Sequence, residues 1–346
     1  MRVLSIVGAR PQFVKLAPIS WTSEGIFEHK ILHTGQHYDP MLSEIFFQSL
    51  KIPNPDFQLK IGSGPHGEQT GRMLIEIERV LVSSRPDHVI LYGDTNSTLA
   101  GAIATQKLNI PISHVEAGLR SFNRVMPEEI NRVVTDHCSN LLFAPTISSM
   151  INLRNEGLGD SSILSGDVMV ETLEYIRNEI PINSESSNFL IATIHRPENT
   201  DNPERMIKIM GKLKDSPIKI HLHCHPRLRN VLEELNLMKD SENLTLLPPL
   251  DYLSLVRNVI ESKGVVTDSG GLQKEAYILK KPCMVLRTES EWVETLETGR
   301  SFLDPNLERI NQNWWSPREH GEQEVNIFGD GSASKTIISA IRNYKG

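Results

Sequence analysis

The feature that most constrains the fold is an alternation of short β-branched runs with longer stretches of helical periodicity, which continues to about residue 300. In the clearest helical stretch, Met73, Ile77, Val80 and Leu81 fall on one apolar face. Because a strand that is followed by a crossover helix leads to a parallel strand, this alternation predicts open α/β sheets.

The strand candidates form two sets, separated by a polar stretch at 183–188 within a linker expected at 168–188. A chain of 346 residues also exceeds one ordinary hydrophobic core. We therefore predict two Rossmann-like domains whose sheets face each other across a cleft. The first set of strands is 3–7, 30–33, 88–92, 112–115, 140–143 and 162–164; the second is 189–193, 218–222, 244–246, 264–267 and 283–286.

Charge and hydropathy exclude several classes of function. Lys and Arg total 36 against 43 for Asp and Glu, which gives a net charge of −7 without a basic block. Nucleic acid and anionic membrane surfaces are therefore not expected partners. No apolar run approaches the roughly 18 residues of a membrane helix, and no secretory signal is evident, so we expect a cytoplasmic protein.

The segments that follow the first-half strands are rich in glycine and charge. Gly8, Arg10 and Lys15 follow the first strand, at the start of a predicted helix. Free amides at a helix start attract anions, so the segment suits an anionic ligand, although a helix start with exposed basic residues fits equally well.

Three acidic positions belong to the same edge of the predicted first sheet. Asp94 and Glu116 each follow a strand, and Glu128 begins the next helix. A carboxylate at a helix start often only complements the helix dipole. Three together favour acid–base chemistry, because like charges brought close raise one another's pKa.

Histidines follow two strands of the second half. His195 lies beside Arg196 after the first of these strands, a position that favours phosphate binding or acid–base chemistry. His223 alternates with His221 and His225 around another strand end. A metal site is disfavoured because no acidic ligand lies nearby, and we predict an anion pocket that includes His223.

The clearest anion-site pattern is the turn Asp268-Ser269-Gly270-Gly271 between a strand and a helix. Glycines let the backbone close on a ligand and free helix amides point at it, which suits a diphosphate. Glu275, one turn further on, could accept hydrogen bonds from a ribose. An ordinary structural turn remains an alternative, and the absence of G-x-G-x-x-G argues against a dinucleotide cofactor.

Taken together, these segments resemble the non-hydrolysing UDP-N-acetylglucosamine 2-epimerase family. The matching pieces occur in the family's order: Gly8-Ala9-Arg10-Pro11, Thr34-Gly35-Gln36-His37, Gly93-Asp94-Thr95, His114-Val115-Glu116-Ala117-Gly118-Leu119-Arg120, Pro127-Glu128-Glu129-Ile130-Asn131-Arg132, His195-Arg196-Pro197-Glu198-Asn199 and Asp268-Ser269-Gly270-Gly271.

The resemblance implies a fold like that of the two-Rossmann-domain (GT-B) glycosyltransferases, with a final helix that returns to the first domain. The domains would then be 1–170 together with 332–346, and 171–331. It also implies a homodimer, a UDP-sugar substrate and no metal or nicotinamide cofactor.

Members of this family eliminate UDP across C1 and C2 to give a 2-acetamidoglucal, and then add UDP back with C2 inverted. Developing charge on the diphosphate would be stabilised by cations and helix-end amides. Matching positions imply catalytic roles for Asp94, Glu116, Glu128 and His195, nucleotide contacts for Arg10, Ser269, Gly270, Gly271 and Glu275, and an active-site cation at Lys15.

The chain departs from the family pattern at two places. Trp292-Val293 stands where members acting on UDP-N-acetylglucosamine commonly carry Arg-Pro, and it resembles relatives that epimerise modified sugars, such as a UDP-2,3-diacetamido-uronate or a 6-deoxy aminosugar. Asp39, near Gln36, stands where members regulated by a second substrate molecule tend to carry Gln. The resemblance therefore leaves the sugar open and does not imply allosteric activation.

Three alternative functions fit the same architecture. A glycosyltransferase would release UDP only with an acceptor, and a hydrolysing epimerase would release UDP together with free sugar. A UDP-sugar sensor would bind without turnover, but the acidic trio argues against a simple binder of a polyanion.

Overall fold

The computed structural model describes residues 1–36, 40–179, 188–316 and 326–345. Asp39 and the part of the predicted linker at 180–187 lie outside these ranges. The chain forms two compact units: unit 1 comprises Met1–Glu174 and Asn326–Gly346, and unit 2 comprises Tyr175–Val325.

Unit 1 is built on a parallel sheet whose seven described strands are ordered β3-β2-β1-β4-β5-β6-β7. These strands are β1 (Arg2–Val7), β2 (Glu28–His33), β3 (Phe57–Gln58), β4 (His88–Tyr92), β5 (Ile112–Val115), β6 (Leu141–Ala144) and β7 (Ser162–Leu164). The helices that connect or follow them are α1 (Arg10–Ser23), α2 (Pro40–Ser49), α3 (His66–Ser84), α4 (Asn96–Lys107), α5 (Pro127–Cys138), α6 (Ile147–Asn155) and α7 (Met169–Glu179).

The centre of this sheet is buried on both faces, as a doubly wound sheet requires. Leu4 and Ile6 of β1 pack with Leu91 of β4 and with Met73 and Ile77 from the apolar face of α3. Strand order reverses between β1 and β4, and such a switch point is where open α/β sheets bind ligands.

Unit 2 repeats the design with six described strands in the order β10-β9-β8-β11-β12-β13. The strands are β8 (Phe189–Thr193), β9 (Lys219–His223), β10 (Leu244–Leu247), β11 (Gly264–Thr267), β12 (Cys283–Val285) and β13 (Ser301–Leu303). The helices are α8 (Pro197–Thr200), α9 (Pro203–Lys214), α10 (Pro226–Glu234), α11 (Tyr252–Glu261), α12 (Gly270–Ile278) and α13 (Val293–Glu297). Here the switch point lies between β8 and β11.

The helix after unit 2, α14 (Ala333–Asn343), belongs to unit 1. Ile337, Ile338 and Ile341 are buried on its inner face. The hydroxyl of Ser334 donates to the Glu171 carboxylate, 2.6 Å away. The return of the final helix to the first Rossmann-like unit, which the resemblance implied, is confirmed.

The predicted α/β class and all eleven predicted strands are confirmed, with ends that differ by at most two residues. β3 and β13 were not among the predicted strands; they lie at sheet edges and have two and three residues. Runs this short carry no measurable periodicity. No helix among the described residues is long and apolar enough to cross a bilayer.

Candidate functional site

The turn between β1 and α1 is held by Gln12, a residue that the sequence analysis did not select. Its Oε1 accepts hydrogen bonds from the amides of Gly8, at 2.7 Å, and Ala9, at 3.1 Å. Its Nε2 donates to the carbonyl oxygen of Tyr92, 2.9 Å away at the end of β4. Gln12 therefore fixes the first turn to the neighbouring strand at the switch point, and Arg10, partly exposed, begins α1 there.

Lys15 and Glu116 form a buried ion pair in unit 1. Lys15 reaches it from α1, and Glu116 comes directly after β5. The backbone of Glu116 has φ of 75°, a left-handed conformation that is costly for a residue with a Cβ atom. Such conformations concentrate at functional sites, where the surrounding structure maintains them.

Gly93 lies beside this ion pair, at the end of β4. Its φ is 61°, and a Cβ atom here would approach Lys15 Nζ to 3.0 Å and Glu116 Oε2 to 3.2 Å. The glycine lets the Asp94 turn pass close to the Lys15–Glu116 pair. Asp94 and Glu116 are thereby brought onto neighbouring turns at one edge of the sheet.

The Asp94 carboxylate is held by α5. Arg132 Nε lies 3.0 Å from Asp94 Oδ2, and Asn131 donates to the Asp94 carbonyl oxygen at 2.9 Å. The Asp94 side chain remains 31% exposed, whereas Arg132 is buried. One carboxylate edge is therefore oriented by a guanidinium while the group keeps access to solvent.

Glu128 and Glu129, both in the first turn of α5, have different environments. Glu129 is buried and accepts from the amides of Ser121 and Phe122, both at 2.9 Å, and from Arg132 at 3.0 Å. Glu128 is exposed. Glu129 therefore stabilises the loop that precedes α5, and Glu128 is the carboxylate of this pair that is available to a ligand.

The like-charge argument for the acidic trio is not what the structure displays. Glu116 pairs with Lys15, and Asp94 pairs with Arg132, which Glu129 also contacts, so each of the first two carboxylates lies beside a cation. The two cations belong to α1 and α5. Spacing along the sequence does not indicate that these helices place their cations next to the turns.

In unit 2, His195 and Asp268 meet at the switch point between β8 and β11. Asp268 has no solvent exposure, and its Oδ1 lies 3.0 Å from His195 Nδ1. The backbone amides of His195 and Arg196 also donate to this carboxylate. Burial raises the pKa of Asp268, but the bonds from His195, Asn199 and Arg196 outweigh it and hold that pKa below its usual value.

This arrangement sets the chemistry of His195. Because Asp268 is ionised, it accepts a proton-bearing Nδ1, so that Nε2 is the ring nitrogen left for a ligand. The side chain is 46% exposed. When Nε2 also carries a proton, an imidazole fixed in this way can donate to a phosphate, and when it does not, Nε2 can accept a proton.

The turn after β11 has the geometry of an anion site. Ser269 caps α12, with its hydroxyl accepting from the amide of Leu272 at 3.3 Å. Gly270 and Gly271 form the first residues of the helix, where backbone amides lack intrahelical partners. Glu275, one turn further on, is buried.

Glu291 closes one side of this turn and was not selected from the sequence. A Cβ atom on Gly270 would lie 2.0 Å from Glu291 Oε1. Arg287 Nη1 lies 2.7 Å from Glu291 Oε2, and Arg196 Nη2 lies 3.9 Å from Oε1. Burial raises the pKa of Glu291, but these guanidinium groups hold it below its usual value, so that Glu291 orients two cations near the turn.

His223 lies at the end of β9 with Nδ1 2.8 Å from the carbonyl oxygen of Pro248. Nδ1 must be the donor, and within the described residues the buried Nε2 has no hydrogen-bond partner. Burial lowers the pKa of His223, so its free nitrogen is an acceptor. His221 instead stacks on Phe189, with ring centroids 4.3 Å apart.

Arg227 and Arg229 follow His223 closely in sequence but do not bind beside it. Arg227 pairs with Asp201 at 2.5 Å and Arg229 with Glu233 at 3.1 Å, both on the surface. These two cations are therefore not part of an anion pocket around His223. No group of three His, Cys, Asp or Glu side chains in the described ranges is placed to hold a metal ion.

Trp292 is buried beside the Ser269–Gly271 turn. Lys274 Nζ lies 4.6 Å from the centroid of its ring, a cation–π contact, and Lys274 is itself buried. The backbone amide of Trp292 donates to Ser290, whose hydroxyl contacts Gln273 of α12. The segment that departs from the family pattern is therefore attached to α12.

Comparison with known proteins gives one consistent result. The family model described as UDP-N-acetylglucosamine 2-epimerase matches residues 20–342. A Methanococcus maripaludis protein named UDP-N-acetylglucosamine 2-epimerase homolog is 47% identical, over 99% of this chain and 100% of its own. The Pseudomonas aeruginosa UDP-2,3-diacetamido-2,3-dideoxy-D-glucuronate 2-epimerase is 46% identical, over 99% of each chain.

A similar solved structure is that of Methanocaldococcus jannaschii UDP-GlcNAc 2-epimerase, crystallised in complex with UDP-GlcNAc and UDP. It superposes with a TM-score of 0.88 at 39% identity, and the match covers 99% of both chains.

Proposed function

Because this chain belongs to the UDP-N-acetylglucosamine 2-epimerase family, and is thus an isomerase, we propose how its residues invert C2 of a UDP-2-acetamido sugar. The observation that carries the assignment is the pairing of Glu116 with Lys15 and of Asp94 with Arg132 on neighbouring turns. These are oriented carboxylates next to buried cations, as proton transfer beside an anionic leaving group requires.

The reaction consists of an elimination and its reverse. A carboxylate removes the C2 proton, the C2 electron pair forms the C1–C2 double bond, and the C1–O bond breaks as UDP departs with its electrons. UDP oxygen then attacks C1 of the 2-acetamidoglucal while a second acid delivers a proton to the opposite face of C2. We assign these acid–base roles to Asp94, Glu116 and Glu128.

The remaining residues stabilise the leaving group and hold the nucleotide. We assign diphosphate contacts to Arg10, to His195 through Nε2, and to the Ser269–Gly271 amides, with Lys15 as the cation beside the acid–base groups. Glu275 would accept from ribose hydroxyls, and His223 Nε2 is an acceptor for a donor on the nucleotide. Negative charge that grows on UDP is stabilised more in the transition state than in the ground state.

Turnover in deuterated water tests the reaction type. With UDP-N-acetylglucosamine, we expect deuterium at C2 of both the product and the recovered substrate, without loss of UDP. Turnover without deuterium at C2 would contradict the elimination. UDP release that needs an acceptor would instead identify a glycosyltransferase, and UDP release in step with free sugar would identify a hydrolysing enzyme.

For the sugar, we propose a modified UDP-2-acetamido sugar of the 2,3-diacetamido-uronate type. Support comes from Trp292 and Lys274, which form a buried pair beside the anion turn, and from the 46% identity to the Pseudomonas aeruginosa enzyme. We expect kcat/KM to be higher with UDP-2,3-diacetamido-2,3-dideoxy-D-glucuronate than with UDP-N-acetylglucosamine. The reverse order would assign the chain to the unmodified sugar.

A homodimeric assembly and a cytoplasmic location complete the proposal, following the family resemblance and the sequence analysis. Light scattering on the purified protein should give twice the 39.0 kDa chain mass. Fractionation of source cells should recover the protein with cytoplasmic markers; a monomeric mass or a membrane fraction would contradict the respective part.

A further inference from the structure

The His114 imidazole faces hydrogen-bond acceptors at both ring nitrogens. This side chain of β5 has no solvent exposure. Nδ1 lies 2.6 Å from Asp136 Oδ1, and Nε2 lies 2.7 Å from the carbonyl oxygen of Gly93. A neutral imidazole has one donor and one lone pair, so it would direct that lone pair at an oxygen in one of these contacts. Only the doubly protonated ring donates in both.

The charges around the ring balance an imidazolium. Asp136, also without exposure, is 2.7 Å from Arg120 Nη2, and Arg120 makes two further 2.7 Å bonds to the Glu156 carboxylate. The network therefore contains two cations, the His114 imidazolium and Arg120, and two carboxylates, Asp136 and Glu156. Burial raises the pKa of Asp136, but His114 and Arg120 outweigh it and hold the pKa below its usual value, so Asp136 is a carboxylate.

This network connects both turns that carry acid–base groups. Gly93, held by His114 Nε2, directly precedes Asp94. Asp136 Oδ2 accepts from the amide of Gly118 at 3.1 Å, which holds the turn that begins at Glu116. The backbone already joins these turns, because the Gly93 amide donates to the Val115 carbonyl oxygen at 3.0 Å, and His114 and Asp136 add a buried side-chain link between them.

We propose that His114 is a doubly protonated positioning residue, which together with Asp136 holds the Asp94 and Glu116 turns in register for proton transfer. The inference rests on the proposed function of those two carboxylates. His114 does not touch the sugar and transfers no proton itself.

The protonation state can be measured on the wild-type enzyme without substrate. The chain has 12 histidines, and the ¹⁵N-histidine ring signals that are missing from the His114→Gln variant identify the ring of His114. We expect both ring nitrogens to carry a proton at neutral pH, because each faces a hydrogen-bond acceptor. An unprotonated ring nitrogen at neutral pH would overturn the proposal.

Two variants separate positioning from folding. His114→Gln removes the charge and leaves Asp136 with one fewer cation, whereas the double variant His114→Gln/Asp136→Asn removes one charge of each sign. We expect the double variant to melt closer to wild type than the single one. Its kcat should fall by on the order of 10², with KM nearly unchanged, because misplaced catalytic groups affect the transition state more than binding.

The kinetics decide between the two roles. A purely structural role would change melting while leaving kcat per folded molecule at the wild-type value, and that result would overturn the proposal. Wild-type epimerisation tests the proposed function separately: an enzyme that fails to exchange deuterium at C2 but shows a doubly protonated His114 would disprove the function and keep the charge assignment.

Discussion

The Lys15 ammonium and the Glu116 carboxylate form a buried ion pair, although 101 residues separate them in sequence. Each side chain is more than nine-tenths buried. If one partner is lost, little water can solvate the charge that remains. The pair can therefore be tested for its contribution to the stability of unit 1.

Glu116→Gln should strongly destabilise unit 1. Removal of one partner from a buried pair costs about 3–5 kcal/mol, because the other charge remains uncompensated. Thermal unfolding measures the effect. Glu28→Gln is the matched control: it breaks the exposed Lys30–Glu28 pair, at 3.4 Å, and should cost at most about 1 kcal/mol. Equal losses of stability in the two variants would show that the buried Lys15–Glu116 pair stabilises unit 1 no more than the exposed pair does.

Asp94→Asn should reduce turnover by about 10² or more while leaving the fold intact. The amide keeps the shape of the side chain but cannot serve as a base, and its partial exposure limits the cost of losing the charge. Kinetics alongside a melting curve check both parts. Near-normal turnover in the folded variant would remove Asp94 from the acid–base assignment.

Gly93→Ala should destabilise unit 1 by about 1–2 kcal/mol, because a left-handed φ is unfavourable for a residue with a Cβ atom. The new methyl group would also press on Lys15 and Glu116. Gly71→Ala, within α3 and with no atom near its added Cβ, should instead stabilise by about 0.5–1 kcal/mol. Changes of the same sign in the two melting temperatures would contradict this account.

Gly270→Ala should weaken UDP binding by at least about tenfold, roughly 1.4 kcal/mol, because the added Cβ collides with Glu291 and disturbs the cations it orients. Gly271→Ala meets only Ser269 Oγ, at 3.8 Å, and should leave the protein part of the turn undisturbed. Calorimetry measures the affinity of each variant for UDP. If binding is lost in Gly271→Ala and retained in Gly270→Ala, the clash with Glu291 is not what matters.

Asp268→Asn should make the stability of unit 2 depend less on pH in acid. The folded-state pKa of Asp268 is depressed, so its stabilisation is fully present above the ordinary carboxyl pKa of about 3.9 and is lost as pH falls through the lower folded value. Melting curves below about pH 5 measure the slope. Identical slopes for the variant and the wild type would mean that Asp268 carries no such linkage.

The sequence analysis predicted the sheets and the turns that carry the site because each strand and each helix start is a local signal. The exact ranges of β4, β5 and β11 follow from β-branched runs that end at glycine or charge. The edge strands β3 and β13 are too short to give such a signal.

Side-chain partners could not be predicted in the same way. His195 meets Asp268 across 73 residues, and Lys15 meets Glu116 across 101, distances over which spacing carries no information. Gln12, His114 and Glu291 look like ordinary polar residues in sequence, and only burial reveals what they hold. Between Glu128 and Glu129, helix geometry decided which carboxylate faces inward.

The packing of α14 on unit 1 affects the order in which a nascent chain can mature. Residues 1–174 lack one of their packing surfaces until α14, which follows unit 2 in the sequence, has left the ribosome. The last of the six described strands of unit 2 ends at Leu303. During synthesis the second Rossmann-like unit can therefore finish folding first, while the unit that was translated earlier waits for its last helix.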